Sequence, residues 1–349
     1  MLRALSRSSS RLPPPSLLLS LPRSSSAAAG SSSPLLLELR EHLGLKEADV
    51  GRVLLEFPEV TGMSFGGEVK PALDELQTRL TLSAPELKRL TVSAPPVIGL
   101  SFSATVSPTL EKLQKHLGLS EGELKKVVLS RPEVLCRGFD GETRPALEKL
   151  RTHLSLSEVE LKKIVLSYPP VITHSFSDCV SPLLVKLRSR LDLSEADVKK
   201  VAVTSSQVLG YSFEGTVEPL LAKLQERLGL SEGELKKIVL SLPQVIGLNF
   251  ETNLAPKLDF LQSELGLSTS SLRGQVLSFP PLLTYSLTNR LHPRLLACRS
   301  LHADPMLLLT TLSLPDGRFC GRLGMPLKTL HGIAMGVAKA GGGRREKEE

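Results

Sequence analysis

SEGELKKVVLSRPEVLCRGFDGETRPALEKLRTHL, Ser120 to Leu154, decides the fold, because almost everything in it returns along the chain every 37 residues. One proline column runs Pro58, Pro95, Pro132, Pro169, Pro243 and Pro280, with Ser206 standing in its fifth place. A second runs Pro34, Pro71, Pro108, Pro145, Pro182, Pro219, Pro256 and Pro293 without a break. A phenylalanine column runs Phe65, Phe102, Phe139, Phe176, Phe213 and Phe250 and closes on Leu287. Three independent columns in one register are the signature of a repeat array.

Each unit has a physical reading. Ser120 with Glu123 three residues on makes a capping box, repeated at Ser157/Glu160, Ser194/Asp197 and Ser231/Glu234. The helix it opens places Leu124, Val127 and Val128 at i, i+3, i+4, and Leu129 widens the apolar arc. Pro132 ends or kinks that helix, since proline lacks an amide hydrogen and clashes with the preceding turn. Val134, Leu135 and a short polar turn lead to Phe139, which is expected to plug the core at the corner. Pro145 suits the first turn of a second helix, whose buried face is Leu147, Leu150 and Leu154. Two helices of roughly 11 residues cannot bury such faces alone, so neighbouring units must stack. The expected fold is all-α, a solenoid or superhelix of about seven helix-pair repeats with terminal caps.

Residues 1–33 hold Arg3, Arg7, Arg11 and Arg23, many serines and no acidic residue. Arg3, Arg7 and Arg11 share one side of a helix, the pattern of an organelle-targeting presequence. A secretory signal built on Leu17-Leu18-Leu19 competes, but Pro13, Pro14, Pro15 and Pro22 break its apolar run. A Ser/Pro tail without a targeting role is a further alternative. Mitochondrion is the first expectation and plastid the second. A half-unit opens at Pro34, full units run at 46–82, 83–119, 120–156, 157–193, 194–230, 231–267 and 268–304, and repeats therefore span 34–304. Residues 305–335 read as a C-terminal capping segment, and 336–349, ending GGGRREKEE, as a disordered tail. In the fifth unit Ser205-Ser206 replaces the residue-plus-proline of its neighbours, which would let the first helix run on, though neutral drift accounts for it more simply.

Composition narrows the function. The chain has 349 residues, no Trp and three tyrosines, too few aromatic faces for a single-strand stacking platform. The net charge is +7, and the four leader arginines supply more than half of it. The remaining excess permits an anionic partner without demanding one. Cys136, Cys179, Cys298 and Cys320 form no CxxC pair and are expected to be reduced core or loop residues. His174 and Cys179 lie in one turn but lack the further ligands of a zinc site. No P-loop, glycine fingerprint or HExxH appears, so no enzyme, no metal and no cofactor is expected. No apolar run approaches the roughly 20 residues of a membrane span, and membrane insertion is not expected.

The pattern LGLSEGELKKVVLSRPEVL…F…RPALEKL resembles the repeat of the mitochondrial transcription termination factor (mTERF) family, from about Pro34 to Leu314. The resemblance implies a bent superhelix with short 3₁₀ turns. It also implies an organellar protein, expected monomeric, that binds double-stranded DNA or structured RNA. Such proteins serve transcription termination or initiation, intron splicing or ribosome assembly, alongside organellar transcription or ribosome components.

Two columns of cations could carry such binding. The first helices hold Arg52, Lys88-Arg89, Lys125-Lys126, Lys162-Lys163, Lys199-Lys200, Lys236-Lys237 and Arg273. On a helical wheel Lys126 falls nearly opposite Leu124 and Val128, so Arg89, Lys126, Lys163, Lys200 and Lys237 would form a solvent-facing stripe able to follow phosphates. The competing account pairs Glu121 with Lys125 at i, i+4 and Glu123 with Lys126 at i, i+3, a salt-bridged solvent face. The second column, Arg79, His116, His153, Arg190 and Arg227, ends the second helices. Arg190 and Arg227 are therefore candidate contacts too, set against a role in complementing the helix dipole. A protein-interaction scaffold or RNA-binding factor in ribosome assembly or splicing remains the alternative function.

Overall fold

A computed structural model describes residues 34–345, and the leader expected at 1–33 lies outside them. A lone helix, α1 (Pro34–Leu43), is followed by seven units, each a first helix and a second. The pairs are α2 (Glu47–Glu56) with α3 (Lys70–Leu80), α4 (Ala84–Ser93) with α5 (Ser107–Leu117), and α6 (Glu121–Ser130) with α7 (Arg144–His153). They continue as α8 (Glu158–Ser167) with α9 (Ser181–Leu191), α10 (Glu195–Thr204) with α11 (Glu218–Leu228), α12 (Glu232–Ser241) with α13 (Ala255–Leu265), and α14 (Thr269–Ser278) with α15 (His292–Ser300). No strand occurs among the described residues.

The capping boxes form as the sequence requires: the Ser120, Ser157, Ser194 and Ser231 hydroxyls accept from the amides of Glu123, Glu160, Asp197 and Glu234, whose carboxylates bond back. Leu124, Val127 and Val128 are fully buried, as are Leu147, Leu150 and Leu154 on the second helix and its continuation. Pro132 starts a 3₁₀ turn, Pro132–Leu135, rather than merely ending a helix. A five-residue π-helical turn then opens on each phenylalanine, as at Phe102–Val106 and Phe176–Val180. The sequence reading did not foresee these turns, although their cap is a column of its own: Ser64, Ser101, Ser175, Ser212, Asn249 and Ser286 each accept the amide three residues on.

Two local expectations need correction. Phe139 is buried, but Phe65, Phe102, Phe176, Phe213 and Phe250 are only half-buried, because the π turn turns its first side chain toward the seam edge and buries its last, such as Val106 or Val180. Several of these rings meet a histidine of the preceding unit edge-on, as in His116–Phe139 at 5.7 Å and His153–Phe176 at 5.4 Å. In the fifth unit α10 stops at Thr204 and the 3₁₀ turn Ser206–Gly210 forms as it does elsewhere. Proline is thus not required to end the helix, and Val208 and Leu209 are buried in the turn as their counterparts are in the other units.

First helices of consecutive units lie side by side, and second helices reach the first helix two units on, as α3 does to α6 and α11 to α14. One continuous apolar cluster runs from Leu35 to Leu312. Each fully buried Leu, Val or Ile contributes about 1.5–3 kcal/mol, so this seam dominates cohesion and polar contacts set its register. Beyond the repeats come α16 (Leu307–Thr311), α17 (Asp316–Leu323) and α18 (Leu327–Arg345). The last continues past residue 336, where the sequence reading starts a disordered tail; residues 346–349 lie outside the described residues. Arg294, 1% exposed, ties this segment down by donating to the Thr311 and Leu314 carbonyls and to Asp316 Oδ1, with its guanidinium over Phe319. Arg290 adds bonds to the Leu312 and Leu314 carbonyls, so the free end of α16 is satisfied by side chains.

Candidate nucleic-acid interface

Within each Lys-Lys pair the helix points the two ammonium groups a hundred degrees apart. The first member turns into the seam. Lys125 Nζ lies 2.9 Å from the Glu86 carboxylate of the preceding unit and donates at 2.8 Å to the carbonyl of Thr81, at the end of the unit before that. Lys162 repeats this with Glu123 and Gly118, and Lys199 with Glu160 and Ser155. Lys88 bonds Asp49 and the Gly44 carbonyl, Lys236 the Asp192 carbonyl, and Arg273 grips Glu234 with two nitrogens.

The receiving carbonyl is exposed by a left-handed residue that closes each second helix. Gly118 and Gly229 suit that conformation, whereas Thr81, Ser155 and Asp192 hold it at φ of 48–50° despite their side chains. Lys88, Lys125, Lys162 and Lys199 each therefore clasp three successive segments of the array, whereas Lys236 makes only the carbonyl contact. The effect on the acids is large: Lys125, Lys199 and Arg273 hold the carboxyls of Glu86, Glu160 and Glu234 down to about 2, helped by the serine caps. Lys162 lowers Glu123 in the same way. The within-helix pairs Glu121–Lys125 and Glu123–Lys126 do not form; the acids are taken by cations of other units.

The second member stands free. Arg89, Lys126, Lys163, Lys200 and Lys237 are exposed and make no ion pair among the described residues. Side-by-side packing of α4, α6, α8, α10 and α12 sets them in one line. Between α4 and α6 this line borders an open groove of about 580 Å³, lined by Arg89, Lys126, Gly122 and Leu129 together with the paired Glu86 and Lys125. Asp49, Glu86, Glu123, Glu160 and Glu234 are paired with the first cations, and Asp197 alone of the capping acids sits near both Lys236 and Lys200. The line thus presents a net excess of positive charge, the arrangement that exchanges counterions for phosphates.

Arg190 and Arg227 are placed otherwise. Arg190 grips Glu218 and Gln225 of the next unit and Glu232 of the unit after it. Arg227 pairs with Asp259 at 2.7 Å and also bonds Gln262. Arg79 does the same with Gln114 and Glu121. These arginines form cross-unit ties, and the structure does not bring them into the line of free cations. What sequence reasoning missed here was legible: an acid stands 39 residues before the first cation of every pair, from Asp49/Lys88 to Glu234/Arg273.

The remaining chemistry is sparse. Burial pushes the Cys136 thiol up to about 12, so it stays protonated at neutral pH. Burial, aided by Arg131 and Arg137, lowers His174. No cluster of three His, Cys, Asp or Glu side chains able to hold a metal occurs among the described residues. No described helix is long and apolar enough to cross a membrane.

Comparison with known proteins bears on the whole array. The family model mTERF matches residues 36–152 and 146–319. No curated protein matches the chain.

Proposed function

Because the chain belongs to the mTERF family, we propose that it binds nucleic acid, double-stranded DNA foremost, and regulates organellar gene expression such as transcription termination. The observation that supports this is the line Arg89, Lys126, Lys163, Lys200 and Lys237, free of acidic partners while every neighbouring cation is tied. On this reading the five cations follow phosphates, and contact is mainly to the backbone rather than to base edges. Mitochondrion is the proposed compartment, with plastid the alternative. Fusing residues 1–33 to a fluorescent protein and following its location tests that assignment.

Binding of a duplex by the full chain, titrated with salt, tests the function. The variant changes Lys126, Lys163, Lys200 and Lys237 to Gln. The wild type is expected to show a steep fall of log K with log salt, and the variant a slope flatter by roughly three to four units. A steep slope that the variant leaves unchanged moves the contacts to another face. Absence of binding at low salt, to duplex and to structured RNA alike, overturns the proposal.

A further inference from the structure

The free cations are bordered by a column for which phosphates have no use. Three residues after each stands an aliphatic side chain: Val92, Leu129, Leu166, Val203 and Leu240, with Leu55 and Leu277 continuing the column at either end. Spacing of three along a helix puts each beside its cation on the outer surface. The five from Val92 to Leu240 are half-buried, resting on the core with an edge in solvent, and Leu55 is 83% exposed. In the groove between α4 and α6 the two columns meet, since Leu129 lines it together with Arg89 and Lys126.

We propose that this face also docks an acidic amphipathic helix of a partner protein, its apolar edge on the aliphatic strip and its carboxylates on the cations, and that such a helix displaces nucleic acid. The displacement rests on the phosphate-contacting role given to the cations above; the docking does not. Charge complementarity selects the occupant: five unpaired positive groups beside a strip of aliphatics match a helix with acids flanking an apolar stripe. A phosphate backbone satisfies only the cations. The chain's own leader, with four arginines and no acid, has the wrong sign to fill the site.

The dimensions agree. Packed helices lie roughly 8–10 Å apart, so the four intervals from Val92 to Leu240 span roughly 32–40 Å. An α-helix of about 25 residues covers that length, and one heptad advances about 10.5 Å, close to one rung. A leucine at one heptad position would thus meet successive repeats.

The test uses the full chain and two labelled synthetic peptides of 25 residues, read by fluorescence anisotropy. One carries leucines at a single heptad position flanked by glutamates; the other has the same composition with leucines scattered round the helix. The striped peptide is expected to bind at least tenfold more tightly, and duplex to compete it off. The variant Leu166→Gln/Val203→Gln/Leu240→Gln should lose that preference while keeping duplex affinity within about twofold. As a check independent of that variant's folding, a photo-crosslinker on the leucine edge should label α6, α8 and α10 in the wild type. Equal binding of both peptides, or labelling elsewhere, overturns the docking face. Equal losses of peptide and duplex in the strip variant would make the strip part of the nucleic-acid site and overturn it as well. Strip-dependent peptide binding with no duplex binding would support the docking face and remove the nucleic-acid reading alone.

Discussion

Lys125 and Lys126 are neighbours of identical charge, and the helix gives them opposite roles. Replacing Lys125 with Met removes a carboxylate contact and a carbonyl contact, and should lower the melting temperature by about 1–3 °C while leaving the salt slope of duplex binding intact. Lys126→Met should do the reverse, lowering the slope by about one unit at unchanged melting temperature. Thermal melts and salt titrations on the two variants separate these roles. Lys257 poses a different case: buried, it bonds only Asn253 Oδ1 and the Leu283 carbonyl, and desolvation depresses it to about 8 from 10.5. The unfolded chain therefore binds the extra proton between those values, and stability should rise as pH goes from 8 toward 10.5. Denaturant melts of wild type and Lys257→Met across that range should differ by this slope; parallel curves would show that Lys257 does not titrate there. The exposure of Lys126 was readable from its helical angle. The partners of Lys125 lie 39 and 44 residues back, beyond the one turn that local pairing rules reach; the acid shows only as a column at constant spacing, and the carbonyl shows in no side-chain pattern.

At the scale of the element, the helices announced themselves through caps, periodic leucines and prolines, and these are local forces acting within a few residues. The turns between them have the opposite cause: the 3₁₀ turns were expected only through the family resemblance, and the π turns not at all. Their geometry is set by what they bury, Val134 with Leu135 and then Thr143, against neighbouring units. Ser206 tests this account. It adopts its neighbours' conformation without their proline, is 2% exposed, and leaves its hydroxyl without a partner. Ser206→Pro should therefore stabilise the protein by about 0.5–1 kcal/mol, through a stiffer unfolded chain and loss of a buried orphan. A denaturant midpoint that falls instead would mean the fifth unit requires its amide hydrogen.

Across the whole molecule, cohesion divides between an apolar seam indifferent to pH and clasps that are not. Glu86, Glu160 and Glu234 titrate at about 2 in the fold and near 4.5 when released. Their contribution is complete above pH 4.5 and disappears as pH falls toward 2. Acid titration followed by circular dichroism should show stability declining through that window, and the Arg273→Met variant should begin its decline from a lower plateau. A profile flat to pH 2 would assign the clasps no energetic weight. The candidate interface was half legible: the column of free cations stood in the sequence, but its isolation from acids depends on ties that only stacking creates.

A lysine that holds the end of one repeat, the start of the next and its own helix at once has a mechanical consequence. An array coupled only to adjacent members can be peeled one member at a time, like coins from a roll. Here a member cannot leave without also loosening the one beyond its neighbour, so tension applied at either terminus is shared over blocks of three. The rod is laminated rather than stacked, and yields in bursts longer than its own period.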